Sequence, residues 1–146
     1  MTTTAPTLNP AIIGQAEKHH TAILARALTG TTLDERQWIT LNQALAAGVA
    51  VPRVAHIARV AGMTRWEPNE VERAAAALIE KGLLAMLPGD EVQINAAGRE
   101  MVARVRAASG KILDPAYGVV SQEELEIAAR VLTAITARMS EELARA

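Results

Sequence analysis

Between Val51 and Gly82 the chain spaces Arg53, Arg59, Arg65, Arg73 and Lys81 among Glu67, Glu70, Glu72 and Glu80, with Asn69 between them. There is one more cation than anion in that stretch. A guanidinium presents a planar fork of donors that fits phosphate oxygens or a guanine edge, Asn can pair with an adenine edge, and a carboxylate can accept from cytosine N4. The residue types therefore suit recognition of a nucleic-acid duplex. Each also has a plainer reading. Scattered Arg is ordinary on a solvated helix, and Asn69 can simply be exposed. Glu near a helix N-terminus favours the macrodipole, worth a few tenths to about 1 kcal/mol. A third reading of Glu67, Glu70 and Glu72 is electrostatic: carboxylates unpaired with a base repel phosphate and impair binding.

These residues need rigid elements to aim them. Pro52 suits the first turn of a helix, which should close around Gly62, since Gly fits the left-handed position past a helix end. A second helix should start at Pro68, after Glu67, and stop at Gly82. In the first of these, Val54, Ile57, Ala58 and Ala61 should face inward, with Arg53, His56 and Arg59 outward. In the second, Val71, Ala74, Ala75 and Leu78 should be buried. Two apolar runs follow, Leu83–Leu87 and Val92–Ile94, separated by Pro88-Gly89-Asp90, the signature of a tight turn between strands. Helix, turn, helix and hairpin outline a winged helix, whose second helix can lie in a major groove. In that frame Arg53 and Arg65 fall at phosphate-contact positions.

The flanking segments are helical. Asn9-Pro10 should open a helix to about Leu28, with Ile13, Ala16, His20, Ile23 and Ala27 on one stripe, widened by Ile12, Leu24 and Leu28. Thr32 and Glu35 form a candidate capping box for a helix reaching Gly48, with Leu33, Trp38, Leu41 and Leu45 inward. Val49-Ala50-Val51 can supply one edge strand. Asn95 should cap a helix from Ala96 to about Leu113, broken by Asp114-Pro115 because the residue before Pro avoids helical geometry. Ser121 and Glu124 form a second capping box, opening a last helix with a seam of Leu125, Ala128, Leu132, Ile135, Met139 and Glu142, adjoined by Leu143. The three long helices, one before the winged helix and two after it, carry more apolar stripe than that small unit can cover. A partner subunit is implied, most simply a symmetric second copy; the alternative is a monomeric bundle.

The 146 residues fit a single domain, here 1–146. The absence of Cys excludes disulfides, a thiol nucleophile and Cys-ligated zinc. No signal-peptide pattern or membrane-length apolar run stands out, so a soluble, cytoplasmic protein with no membrane partner is expected. The net charge of −1 counts mildly against a duplex binder. His19 and His20 point about 100° apart on a helix and cannot converge on one metal ion. His20 lies on the apolar stripe and could line a ligand pocket with Trp38, Met101 or Tyr117, although those side chains equally suit plain core. A buried His there would be a pH-sensitive element. No phosphate loop, nucleophile elbow or paired catalytic acids occur, so neither enzymatic chemistry nor a cofactor is indicated.

The whole pattern, from about Asn9 to Leu143, resembles the multiple antibiotic resistance regulator (MarR) family of winged-helix repressors. Leu33-Asp34-Glu35-Arg36-Gln37-Trp38-Ile39-Thr40-Leu41 is similar to the family's "L-T-x-x-Q-W-x-x-L" second helix. Leu78-Ile79-Glu80-Lys81-Gly82-Leu83-Leu84 is similar to the "L-E-x-K-G-L-V" end of its recognition helix. Ile94-Asn95-Ala96-Ala97-Gly98-Arg99 is similar to the "L-T-P-A-G-R" after its wing, and Glu123 to Leu143 to its terminal dimerisation helix. The resemblance implies a mainly α fold: a winged helix-turn-helix over 33–95, its β-hairpin wing at about 83–94, and dimerisation helices over 9–30 and 96–146. It implies a homodimer that binds double-stranded DNA at a pseudo-palindromic operator as a repressor, relieved by a small lipophilic or aromatic effector, and no catalysis. The residues read above as candidate DNA contacts are Arg53, Arg65, Asn69, Glu70 and Arg73, of which Arg73 best matches a family contact, and the candidate effector contacts are His20, Trp38, Met101 and Tyr117.

Three departures stand out. The family's "S-x-S-T-V-T-R" start of the recognition helix is here Glu67-Pro68-Asn69-Glu70-Val71-Glu72-Arg73, with Glu70 and Glu72 where Thr would contact DNA. The turn after Gly62 is longer than usual and holds Arg65 and Trp66. The wing tip, Leu87-Pro88-Gly89-Asp90-Glu91, carries two acids and lacks the usual Arg. The alternative is a ligand-sensing or protein-interaction module of this family's kind, with weak or lost DNA binding.

Overall fold

The computed structural model describes residues 4–146, which form two compact units, one ending at Ser109 and the other Gly110–Ala146. In chain order the elements are α1 (Pro10–Leu28), α2 (Glu35–Ala47), β1 (Val51–Pro52), α3 (Arg53–Thr64), α4 (Pro68–Glu80), β2 (Leu84–Leu87), β3 (Glu91–Ile94), α5 (Ala96–Tyr117) and α6 (Gln122–Arg145). This is a mainly helical winged helix-turn-helix: α3 and α4 form the helix-turn-helix, and β2–β3 form the wing. The sheet has the order β1-β3-β2 and is antiparallel throughout, with Val51 opposite Val92, Leu84 opposite Ile94 and Leu87 opposite Glu91. Gly89 and Asp90 are both left-handed, φ 84° and 57°, which Gly and Asp tolerate better than other residues.

Two clusters hold the first unit together. The larger gathers Leu28 of α1, Trp38 and Leu41 of α2, Leu78 of α4, Leu84 and Ile94 of the sheet, and Val102 and Val105 of α5. The smaller joins Ile57, Val60 and Ala61 of α3 to Val71 of α4, with Ile39 and Trp66 against it. In α4 the buried side chains are Val71, Ala74, Ala75 and Leu78, as the spacing predicts. In the second unit α6 has no buried residue at all.

Several local expectations are corrected. The N-cap of α2 is Asp34, whose carboxylate accepts from the Gln37 amide at 2.8 Å, so the box built on Thr32 does not form. Gly62 lies inside α3. The helix continues to Thr64, and Arg65, at φ 64°, takes the left-handed position with its amide bonded to the Ala61 carbonyl. The extra residues after Gly62 thus mostly lengthen α3, and the turn is residues 65–67. The buried face of α3 is His56, Ile57, Val60 and Ala61, while Val54 is 70% exposed and Ala58 is exposed as well. The rotation follows from His56, which turns inward because it has a carbonyl to bond. Finally, Pro115 does not end α5, which reaches Tyr117. Near a helix end Pro forfeits a single backbone bond, and the Gly118 amide still reaches the Asp114 carbonyl at 3.0 Å.

Candidate nucleic-acid interface

The second helix of the helix-turn-helix, α4, starts with Pro68 at its first position, which needs no amide partner there. Its buried Ala74 and Ala75 are small enough to let α2 and α3 approach. Asn69, Glu72, Arg73 and Ala76 are left exposed on the far side, with Glu70 half-buried. Its C-terminal end is tied down twice. Lys81 donates to the Thr32 carbonyl and to Gln37 Oε1, both at 2.6 Å, so this cation is a structural strut. Asn95 donates from Nδ2 to the Gly82 carbonyl at 2.8 Å and accepts from the Gly98 amide at 2.8 Å, joining the end of α4 to the start of α5.

Charge around α4 is paired across elements. Arg36, from α2, lies 3.5 Å from the Glu70 carboxylate and stacks 5.3 Å from the centre of the Trp66 ring. Arg53, at the start of α3, donates from Nη2 to Glu72 at 3.2 Å. Its Nε, buried and without a hydrogen bond, sits 3.6 Å from the Asp90 carboxylate at the wing tip, and its backbone amide donates to the Asp90 carbonyl at 2.9 Å. Arg59 donates to Gln43 at 2.6 Å. Among the described residues, Arg65 and Arg73 make no ion pair and are exposed. Arg73 borders two surface depressions: one of about 210 Å³ with Arg36, Gln37 and Glu70, another of about 290 Å³ with Arg53, Asn69 and Glu72.

Of the five residues expected at a duplex, Arg53, Asn69 and Arg73 border one depression and Glu70 and Arg73 the other, while Arg65 lies in the turn before α4 and borders neither. Arg65, Asn69 and Arg73 are open, whereas Arg53 and Glu70 are engaged with their neighbours. Sequence reasoning missed Arg36, whose relevance comes only from the packing of α2 beside α4, and the role of Asp90, which a left-handed turn brings back to α3. It also placed His56 outward. That ring is buried, with Nε2 donating to the Thr40 carbonyl at 3.0 Å and neither Nδ1 nor the Thr40 hydroxyl partnered. Burial holds its pKa below the ordinary value of 6.5; the Thr40 carbonyl opposes the shift, and the Arg59 charge adds to it.

The residues expected to bind an effector are placed differently. Trp38 is buried in the larger core cluster, and Met101 is half-buried against it. His20 is exposed on α1 with Nδ1 2.7 Å from the Ala16 carbonyl oxygen, and His19 bonds Gln15 in the same way. Tyr117, in the second unit, is 47% exposed. A cavity of about 350 Å³ opens beside the end of α1, lined by Leu24, Leu28, Leu33, Asp34 and Glu35 among others, and none of the four borders it. No group of His, Asp and Glu suited to a metal ion occurs among the described residues. No helix among them is long and apolar enough to cross a membrane.

No family model matches the chain, and no curated protein matches it. Solved structures do. The chain is similar to a MarR-family transcriptional regulator from Silicibacter pomeroyi at 20% identity and TM-score 0.74, over 88% of each chain. The chain has the MarR fold. The same fold is found in NadR, solved in complex with 4-hydroxyphenylacetate, at 14% identity and TM-score 0.72 over 92% of this chain and 97% of that one. It is also found in CouR from Rhodococcus jostii RHA1, bound to p-coumaroyl-CoA, at 20% identity and TM-score 0.66 over 85% and 88%. At such identities the MarR fold is what the likeness establishes.

Proposed function

We propose that the protein is a DNA-binding transcriptional regulator: a homodimeric, ligand-responsive repressor acting on a pseudo-palindromic operator. The observation that carries the reading is the outward face of α4, where Arg73 and Asn69 lie open on a helix braced from behind, with Arg65 and Arg53 on its flanks. In this reading Arg73 and Asn69 meet base edges, Arg53 and Arg65 meet phosphate, and Glu70 borders the same groove. Two copies would set two such helices in successive major grooves, one helical turn apart. The stripe of exposed Leu132, Ile135, Met139 and Leu143 on α6 supports a second copy, because an isolated chain leaves that stripe in water, and Ile12 and Ile13 on α1 are exposed in their own unit. Light scattering at micromolar concentration should return twice the chain mass.

An aromatic acid or its thioester is the effector class we assign, on the strength of the ligands in the similar structures. The decisive experiment titrates the purified protein onto the DNA upstream of its own coding sequence at several salt concentrations. A regulator gives a saturable shift whose affinity falls steeply with salt. A second reading keeps the fold and drops the DNA, making this a ligand-sensing or protein-interaction module. The carboxylates on Arg36 and Arg53 favour it, and absence of any shift at low salt, with and without aromatic acids, would establish it over the first.

A further inference from the structure

We infer that the duplex-facing surface is held in a self-neutralised state. In it Glu72 and Asp90 occupy Arg53, Glu70 occupies Arg36, and a DNA phosphate must displace these carboxylates to engage either arginine. The inference rests on the DNA-binding reading and adds a regulatory contact to it. Its ground is the placement of the pairs. Arg53 is held from two elements at once, by Glu72 of α4 and by the carboxylate and backbone carbonyl of Asp90 in the wing turn. Its side chain is 26% exposed, against 49% for Glu72 and 60% for Asp90. The guanidinium is thus screened by more accessible anions. Arg36 is likewise held between the Trp66 ring and Glu70.

Two consequences follow from electrostatics. Exposed ion pairs hold weakly, so an incoming phosphate can replace a carboxylate in front of the same guanidinium. The released carboxylate then stays near the duplex and repels it, which lowers affinity below that of an unpaired arginine. Displacing the Asp90 carboxylate removes the side-chain tie between the wing turn and Arg53, while the Arg53 amide still holds the Asp90 carbonyl. The intramolecular clasp therefore acts as a brake on binding. It favours an operator whose geometry rewards the exchange over arbitrary duplex, which is discrimination by an opposing contact.

The test is a mutant cycle on the full-length protein, with the upstream duplex as probe. The double variant Glu72→Gln/Asp90→Asn should bind about tenfold tighter at 50 mM salt, with a log–log salt slope steeper by about one phosphate contact. Glu80→Gln removes an α4 carboxylate that makes no ion pair among the described residues, and it should gain far less. Arg53→Gln should weaken the native protein about threefold and the double variant about thirtyfold, a coupling factor typical of directly touching residues. Equal losses in both backgrounds, or a double variant no tighter than Glu80→Gln, would overturn the clasp while leaving DNA binding intact. Absence of saturable binding in every form would sink the DNA-binding reading and the clasp with it.

Discussion

Gly98 offers a sharp test of how the recognition helix is braced. It sits in the first turn of α5, where a Cβ would stand 2.2 Å from the Leu83 carbonyl oxygen and 2.6 Å from Ile94 Cγ1. Ordinary contact begins at 3.4 Å, so the Leu83 carbonyl would have to retreat by roughly its shortfall, more than an ångström. That carbonyl belongs to backbone already fixed on both sides: Leu83 donates to Leu78, and Asn95 bonds Gly82. Overpacking of a well-packed site costs about 1–3 kcal/mol. At about 2–4 °C per kcal/mol for a chain of this size, Gly98→Ala should lower Tm by about 2–12 °C. The control is Gly62→Ala. Gly62 lies inside α3 with no positive φ and nothing within 4 Å of a new Cβ, so the same substitution should stabilise by about 0.5–1 kcal/mol. Thermal melts of both variants by circular dichroism suffice. A Gly98→Ala protein melting within a degree of wild type would refute the close approach of α5 to the wing. A destabilised Gly62→Ala would mean that α3 does end there.

Arg73→Ala should weaken operator binding by about 1–3 kcal/mol and relax base preference, and an unchanged gel-shift series across operator variants would count Arg73 out. Arg65→Gly should raise stability by about 1 kcal/mol, because a non-Gly residue at φ 64° is strained, while lowering duplex affinity. A melt no higher than wild type would count against the left-handed cap. His56 is buried neutral with its pKa depressed, so the unfolded chain takes up a proton that the folded one resists. Its contribution to stability is complete above pH 6.5 and is lost as pH falls from there toward the folded value; the fall in Tm between pH 7 and pH 5.5 should shrink in His56→Gln, and equal slopes would exclude it.

What was legible in the sequence was set by local chemistry. Pro68 at a first turn, the apolar set Val71, Ala74, Ala75 and Leu78, and the Pro88-Gly89-Asp90 turn each specify their own geometry. Together they fixed the recognition helix and the wing. Expectations failed where a residue had two acceptable states and a distant partner chose between them. Gly62 can end a helix or sit within one, and the chain continued because Val60 and Ala61 had Val71 to pack against, with the turn deferred to Arg65. His56 can face water or core. Its carbonyl partner, Thr40, lies on another helix, and hydrophobic spacing within α3 could not reveal it.

The charges show the same division more sharply. Composition counted Arg53, Glu70, Glu72 and Asp90 as separate surface charges, and a near-neutral total looked like weak evidence against a duplex. In the folded protein that total is organised: the acids sit on particular arginines, Glu72 and Asp90 on Arg53 and Glu70 on Arg36, while Arg65 and Arg73 are left open. On the proposed reading a net charge near zero is compatible with a reading face, because, although Glu67 and Glu80 make no ion pair among the described residues, Glu70, Glu72 and Asp90 are engaged with arginines. Their presence where hydroxyl residues would otherwise meet DNA follows the same logic. On the proposed reading, a hydroxyl could only donate or accept at the duplex, whereas the Glu72 carboxylate beside Arg53 would also govern whether that arginine is available.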